Sequence, residues 1–358
     1  MGDVLMHASM GYRDFGKPVR RCGLAGAPVL RVVFAVMLTW GAINARAAEV
    51  VAEGDVIQSV VGISAIIPKD ARTAEHLGVL RSGSGVVIDD DGLVLTIGYL
   101  MMEAEQAAVT DAEGKLVPAV PVAYDHKTGF GLLRATLPLG LKPVKLGNSA
   151  DLAEGAPVII VSKGGQVPVM AARVSSRREF AGYWEYLLDR AIFTIPFNPQ
   201  YGAAALTDAA GQLVGIGSLA VNDAVLDKKP IAGNMFVPID VLKPILGDLV
   251  QQGRSMAPAN PWLGVYTNET NGRVFVARVA AGGPAQDAGI KPGDIIMGVD
   301  GKLIKGIADF YRKIWARGSA GVDIPVDVMP VGGASLEIRT VIVKSRDRLD
   351  WLKLNKGI

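Results

Sequence analysis

Short apolar runs of Val, Ile and Leu, broken every few residues by Gly, Pro or Asp, set the pattern of this chain, and sustained helical spacing is rare. Val86-Val87-Ile88 and Leu93-Val94-Leu95 flank Asp89–Gly92 and predict a hairpin. Residues 107–125 repeat the form about a turn at Asp111–Gly114. Residues 54–66 predict a short helix running into a strand, and 129–136 and 143–149 predict further strands. A second set follows at 169–180, 186–195, 211–221 and 235–239. Many short strands joined by tight turns predict β-barrels or a sandwich. Val241, Leu242, Ile245 and Leu249 are spaced for a helix within 239–253 that closes this unit. The Pro-containing polar stretch 254–261 reads as a linker. Residues 262–346 form a second unit with strands at 262–267 and 273–279, a short helix at 283–289, an amphipathic helix at 307–318 and a closing hairpin.

The N-terminal pattern differs. Lys17, Arg20, Arg21 and Arg31 precede the apolar run 32–43, and Ala45-Arg46-Ala47 follows as a small-x-small site. This predicts a signal peptide over 1–47 cleaved after Ala47, hence a periplasmic or secreted protein, with an uncleaved anchor as the alternative. The leader holds six of the 37 basic and two of the 35 acidic residues, so the remainder carries a net charge of −2. That balance argues against a nucleic-acid partner. Cys22, the single cysteine, lies in the leader, which leaves no thiol nucleophile or disulfide downstream. Only His76 and His126 remain beyond it, without ligand spacing, so neither a metal nor another cofactor is expected.

Residues 195–206, IPFNPQYGAAAL, have the look of a loop built to present a group, yet Ser, Cys, Thr, His, Asp and Glu are all missing from its tip. The segments SGSGVVIDDDGLVLT, DHKTGFGLL, FNPQYGAAAL with DAAGQLVGI, and NMFVPIDVLKPIL resemble, in order and spacing, those of the HtrA (DegP-like) serine proteases. The resemblance covers about 54–346 and implies a mainly β fold: a chymotrypsin-type double β-barrel followed by a PDZ domain of the α+β kind. The domain organisation expected is 48–253 for the protease-like domain, 254–261 for the linker, 262–346 for the PDZ domain and 347–358 for a tail that docks on its own domain.

The departures from the family fall on its chemistry. Where the resemblance implies the catalytic histidine, aspartate and serine, this chain has Tyr99, Gly129 and Gly202. A serine protease needs a hydroxyl nucleophile, a base titrating near neutrality and a carboxylate to orient that base. Gly202 has no side chain to acylate, Gly129 orients nothing, and a tyrosine with an ordinary pKa of about 10 stays protonated at neutral pH. The alternative is catalysis moved to neighbours such as Asp125 and His126, but adjacent strand residues point apart, and Ser82 and Ser84 read as turn residues. Backbone N–H groups near Gln200 and Gly202 are candidates for a residual carbonyl-binding pocket.

GPAQDAGIKPGDIIMGVDG (283–301) resembles the PDZ pattern without losses. That resemblance implies a groove in which an extended peptide adds as a strand and its carboxylate meets backbone N–H groups at Trp262, Leu263, Gly264 and Val265. Trp262 stands to narrow that pocket. On the facing helix, Phe310 with Ile314 and Tyr311 with Trp315 form two pairs one turn apart, one for the core and one for the groove. The partners implied are peptide segments or C-termini of other proteins. The family's trimer is not expected, because the segment 48–61 has no aromatic residue; another homo-oligomer stays open. The leading reading is an HtrA-like pseudoprotease, a peptide-binding envelope scaffold or regulator in protein quality control. The alternatives are an active serine endopeptidase with relocated residues and a holdase-type chaperone.

Overall fold

The computed structural model describes residues 56–354 apart from 112, 164–168, 228 and 331–336. The leader, its cleavage site and Cys22 lie outside the described residues. Six strands close the first barrel: β1 (Val60–Ile66), β2 (Leu80–Val87), β3 (Leu93–Ile97), β4 (Gln106–Thr110), β5 (Leu116–Tyr124) and β6 (Phe130–Ala135), in the order β1-β2-β3-β6-β5-β4. Six more close the second: β7 (Pro157–Val161), β8 (Val169–Gly182), β9 (Tyr186–Ile195), β10 (Ala205–Thr207), β11 (Leu213–Val225) and β12 (Ile231–Pro238), in the order β10-β11-β12-β9-β8-β7. The third unit is a sheet of β13 (Val265–Thr270), β14 (Arg273–Val279), β15 (Ile295–Val299), β17 (Asp323–Met329) and β18 (Arg339–Lys344), with β16 (Lys302–Leu303) paired to β15. The helices are α1 (Val56–Ser59), α2 (Ala74–Leu77), α3 (Leu246–Gln252), α4 (Pro284–Asp287), α5 (Ile307–Trp315) and α6 (Arg348–Trp351).

The strand period explains how the barrels share a core. All five residues of β3 are buried, but on two sides. Leu93, Leu95 and Ile97 join a cluster that runs into the second barrel through Phe193, Ala203 and Ile216. Val94 points the other way, to a cluster with Val61, Ile63 and Leu133. Alternate residues of one strand thus serve two cores. That second cluster also takes in Trp262, Ala280, Trp351 and Leu352, so it reaches the PDZ-like sheet and the tail.

Two sequence expectations are corrected here. Residues 143–149 are not a strand: Lys145 and Gly147 each share one backbone bond with Leu213, and the pairing goes no further. The tail does not dock on its own domain alone. The Trp351 ring lies 4.9 Å from that of Trp262, and its indole N–H donates to Ala281 O, both in the PDZ-like unit. Its neighbour Lys353 donates its backbone N–H to Glu103 in the first barrel, at 2.8 Å. The tail therefore straps the two units together.

Candidate functional site

Two places in the molecule could carry function: the cleft between the barrels and the groove of the PDZ-like sheet. In the cleft, β3 ends in a 3-10 turn, Gly98–Leu100, that carries Tyr99. Arg81 holds this turn by donating to Tyr99 O and Met102 O. Gly202 lies on the loop between β9 and β10. A Cβ built there would stand 3.5 Å from the Tyr99 hydroxyl, so the two positions face each other. Gly129 precedes β6, and its carbonyl accepts from the Gly98 N–H at 2.8 Å, next to Tyr99. The structure thus gathers the three positions at one cleft.

None of the three carries the side chain that the resemblance implies at its place. The Tyr99 hydroxyl donates to Ser218 O at 3.0 Å, and burial, with Tyr201 adding to it, pushes its pKa well above the ordinary tyrosine value. It is a proton donor locked into the fold, not a base. Gly129 has φ +82°, and a Cβ there would come within 3.2 Å of the Tyr186 hydroxyl, itself committed to Thr128 O at 2.7 Å. A side chain there would be strained by the left-handed backbone and crowded by Tyr186.

The loop around Gly202 keeps its shape by other means. Asn198 and Asn234, both buried, exchange two bonds: the Asn198 N–H donates to Asn234 Oδ1, and the Asn234 amide donates to Asn198 O. The Ala203 N–H donates to Gly217 O, and Gly202 O accepts from the Ser84 N–H. Ala203, Ala204 and Ala205 are fully buried, so the three alanines pack the space under the loop. The Gln200 N–H, expected to face a carbonyl, instead donates to Asn198 Oδ1 at 2.9 Å, which removes it from the residual pocket.

The neighbours considered for relocated catalysis are occupied as well. The Asp125 carboxylate accepts from the Thr128 N–H and hydroxyl, closing its own turn. His126 meets the Tyr124 hydroxyl at 3.0 Å and Arg348 at 2.8 Å, and burial, then Arg348, hold its pKa well below the ordinary histidine value. The Ser84 hydroxyl accepts from the Lys163 N–H.

The second place is the peptide groove the sequence points to. The N–H groups of Leu263, Gly264 and Val265 do converge on a carboxylate, and it belongs to this chain. Glu185, at the tip of the β8–β9 hairpin, accepts from them at 2.8, 2.6 and 2.9 Å. Its side chain is buried, with a φ of +58° at the turn. Beside it, Tyr183 O accepts from the Thr267 N–H at 2.9 Å, continuing the contact along β13.

The helix across the groove sorts as two pairs. Phe310 and Ile314 sit in the sheet's core, whereas Tyr311, though fully buried, turns its hydroxyl to the hairpin. That hydroxyl donates to Gly182 O at 2.8 Å and accepts from the Glu185 N–H at 3.1 Å. Trp315, half-buried, follows Tyr311 on this side and stacks on it. The Trp262 ring packs on Trp351, and its edge stands 3.2 Å from where a Cβ on Gly264 would lie, so it crowds the middle of the cradle. Sequence reasoning missed Glu185. The available signal was one acid in the aromatic run Tyr183-Trp184-Glu185-Tyr186, placed between two strand patterns.

Comparison with known proteins agrees with this architecture. A trypsin-like peptidase domain family matches residues 83–216, and a PDZ domain family matches 261–340. The chain is 25% identical over 287 residues to serine protease PepD of Mycobacterium tuberculosis, covering 74% of this chain and 61% of that protein. It is 26% identical to a serine protease Do-like HtrA of Lactobacillus helveticus, covering 67% of this chain and 63% of the relative, and 27% identical to a probable periplasmic serine endoprotease DegP-like of Hahella chejuensis, covering 70% and 55%. The match thus spans less than two thirds of the length of these curated relatives. Among solved structures, a variant of the HtrA-type protease AlgW with tripeptide superposes with a TM-score of 0.51 at 21% identity, covering 84% of this chain and 96% of that one, a likeness of fold. The chain carries a trypsin-like peptidase domain followed by a PDZ domain and is a homologue of the HtrA and DegP serine proteases.

Proposed function

We propose that this protein is an HtrA-like pseudoprotease. It hydrolyses no peptide bond and works by binding peptide segments or C-termini through its PDZ domain, as a scaffold or regulator of protein quality control in the cell envelope. The observation that carries this reading is the cleft itself, where Tyr99, Gly129 and Gly202 stand together with no nucleophile, base or orienting carboxylate among them. Losing one member of a triad costs about 10⁴-fold or more, and the members act as a unit, so the remaining groups leave no serine chemistry at this place. The PDZ match and the HtrA-type neighbour with tripeptide support peptide binding. The DegP-like relatives described as periplasmic support a periplasmic or secreted location, with the leader over 1–47 as the export signal.

The test is incubation of the purified chain with reduced casein at near-stoichiometric ratio, alongside labelling by a fluorophosphonate probe for activated serines. Intact casein and no label are expected, beside an intact-triad homologue that cleaves and labels. Cleavage that follows the protein through a further purification step would overturn the reading.

A further inference from the structure

The hairpin tip makes, within one chain, each kind of contact by which a PDZ domain holds a peptide. A carboxylate is cradled by three consecutive backbone N–H groups, with Gly264 at φ +79° giving the loop its turn. A backbone carbonyl pairs along the edge strand, Tyr183 O with the Thr267 N–H. An aliphatic side chain, Leu187, packs against the core of the PDZ-like sheet. The opposing helix closes the other side through Tyr311, and Arg312 reaches both stems of the hairpin, Glu179 on β8 and Asp189 on β9.

An ordinary contact between domains would not require this set. The Glu185 carboxylate takes all three of its bonds from the loop that defines the groove. The backbone also commits to the arrangement, since a non-glycine residue at φ +58° costs about 1–2 kcal/mol, and glycine would relieve it at the loss of the carboxylate.

We propose that the β8–β9 hairpin is an internal ligand of the PDZ groove, with Glu185 in the place of a C-terminal carboxylate, so that a partner's free C-terminus with an aliphatic last residue enters only as the hairpin leaves. The masking rests on the peptide-binding reading above; the internal contact does not. A competing peptide must supply a carboxylate, a strand edge and an apolar side chain at once, because the hairpin supplies all three.

The test uses the full chain, Glu185→Ala, and as a milder change Tyr311→Phe, which removes the hydroxyl that holds the hairpin but leaves the carboxylate. Amide hydrogen exchange at Leu263, Gly264 and Val265 should accelerate tenfold or more in Glu185→Ala. A fluorescent decapeptide pool ending in Leu, Ile or Val with free carboxylates should bind Glu185→Ala at least tenfold more tightly than the wild type, with Tyr311→Phe between them. The same pool with amidated ends should show no such gain. Unchanged exchange in Glu185→Ala would overturn the internal contact. Equal binding of the free-carboxylate pool by all three proteins would overturn the masking while peptide binding stands. Faster exchange with no binding to any of the proteins would overturn the masking together with the peptide-binding reading.

Discussion

Glu185 should also leave a mark on stability as a function of pH. Burial pushes its carboxyl up to about 7 from an ordinary 4.5, against the downward pull of the Leu263, Val265 and Gly264 N–H groups and of Arg348. The groups around it are Arg348 on α6, His126 between β5 and β6, and the Tyr311 hydroxyl on α5. With a folded pKa above the unfolded one, folding favours the protonated acid. The contribution is complete below about pH 4.5 and is lost as pH rises through 7. The gap corresponds to about 3 kcal/mol, most of which falls between pH 5 and pH 8. His126 runs the other way, because its lowered pKa costs stability as pH falls below 6.5, but it is present in wild type and variant alike. Urea unfolding of the wild type and Glu185→Gln at pH 5, 6, 7 and 8 isolates the acid, since glutamine does not titrate. The stability of the wild type relative to the variant should fall by roughly 2–3 kcal/mol from pH 5 to pH 8. A difference that stays flat, or grows with pH, would refute the reasoning: the three N–H donors would then outweigh burial and keep the carboxylate ionised throughout.

Four further outcomes are expected. The double change Tyr99→His with Gly202→Ser should leave casein cleavage slower than that of an intact-triad homologue by about 10⁴ or more, because Gly129, crowded by Tyr186, supplies no orienting carboxylate and the Gln200 N–H is tied to Asn198; turnover near the homologue's rate would count against this geometry. Tyr99→Phe strips Ser218 O of its donor and should lower stability by about 1–3 kcal/mol in urea titration. Gly217→Ala would drive a Cβ into the Tyr201 carbonyl, a backbone atom with little room to yield, and should cost about 1–3 kcal/mol or more by the same measurement. Trp351→Ala removes a buried ring packed on Trp262 and should cost about 3–5 kcal/mol, with a lowered thermal midpoint as the readout.

The strands and the order of the segments were legible because both are written locally, in period-2 alternation and in turn residues. Val94 and Leu95 declare opposite faces of β3 by adjacency alone. The meeting of Tyr99 with Gly202 was legible only through the resemblance, since no periodicity connects residues a hundred positions apart. Glu185 was hidden for a related reason. Its three partners lie 78 to 80 residues away in another unit, and nothing within its hairpin marks an acid that will face inward. The failed strand at 143–149 shows the opposite error, in which a stretch of fitting composition makes one isolated bridge to Leu213 and a single bond to Val87 O and extends no ladder.

The cleft and the groove are both lined by groups the protein has already bonded to itself, but the two arrangements differ in what can undo them. Tyr99 bonds to Ser218 O, and the loop beneath rests on buried alanines and the Asn198–Asn234 pair, all inside the barrels. Opening that cleft means unpacking a shared core. Glu185 instead reaches from one unit into another, through a hairpin of only three turn residues, and its bonds are of a kind that an incoming carboxylate reproduces one for one. A ligand shifts an equilibrium only by its differential affinity for the two states, and an exchange of like bonds keeps the cost of release low. The cleft's arrangement is therefore held by packing, whereas the groove is closed by a contact that, on the proposal above, a competing C-terminus replaces.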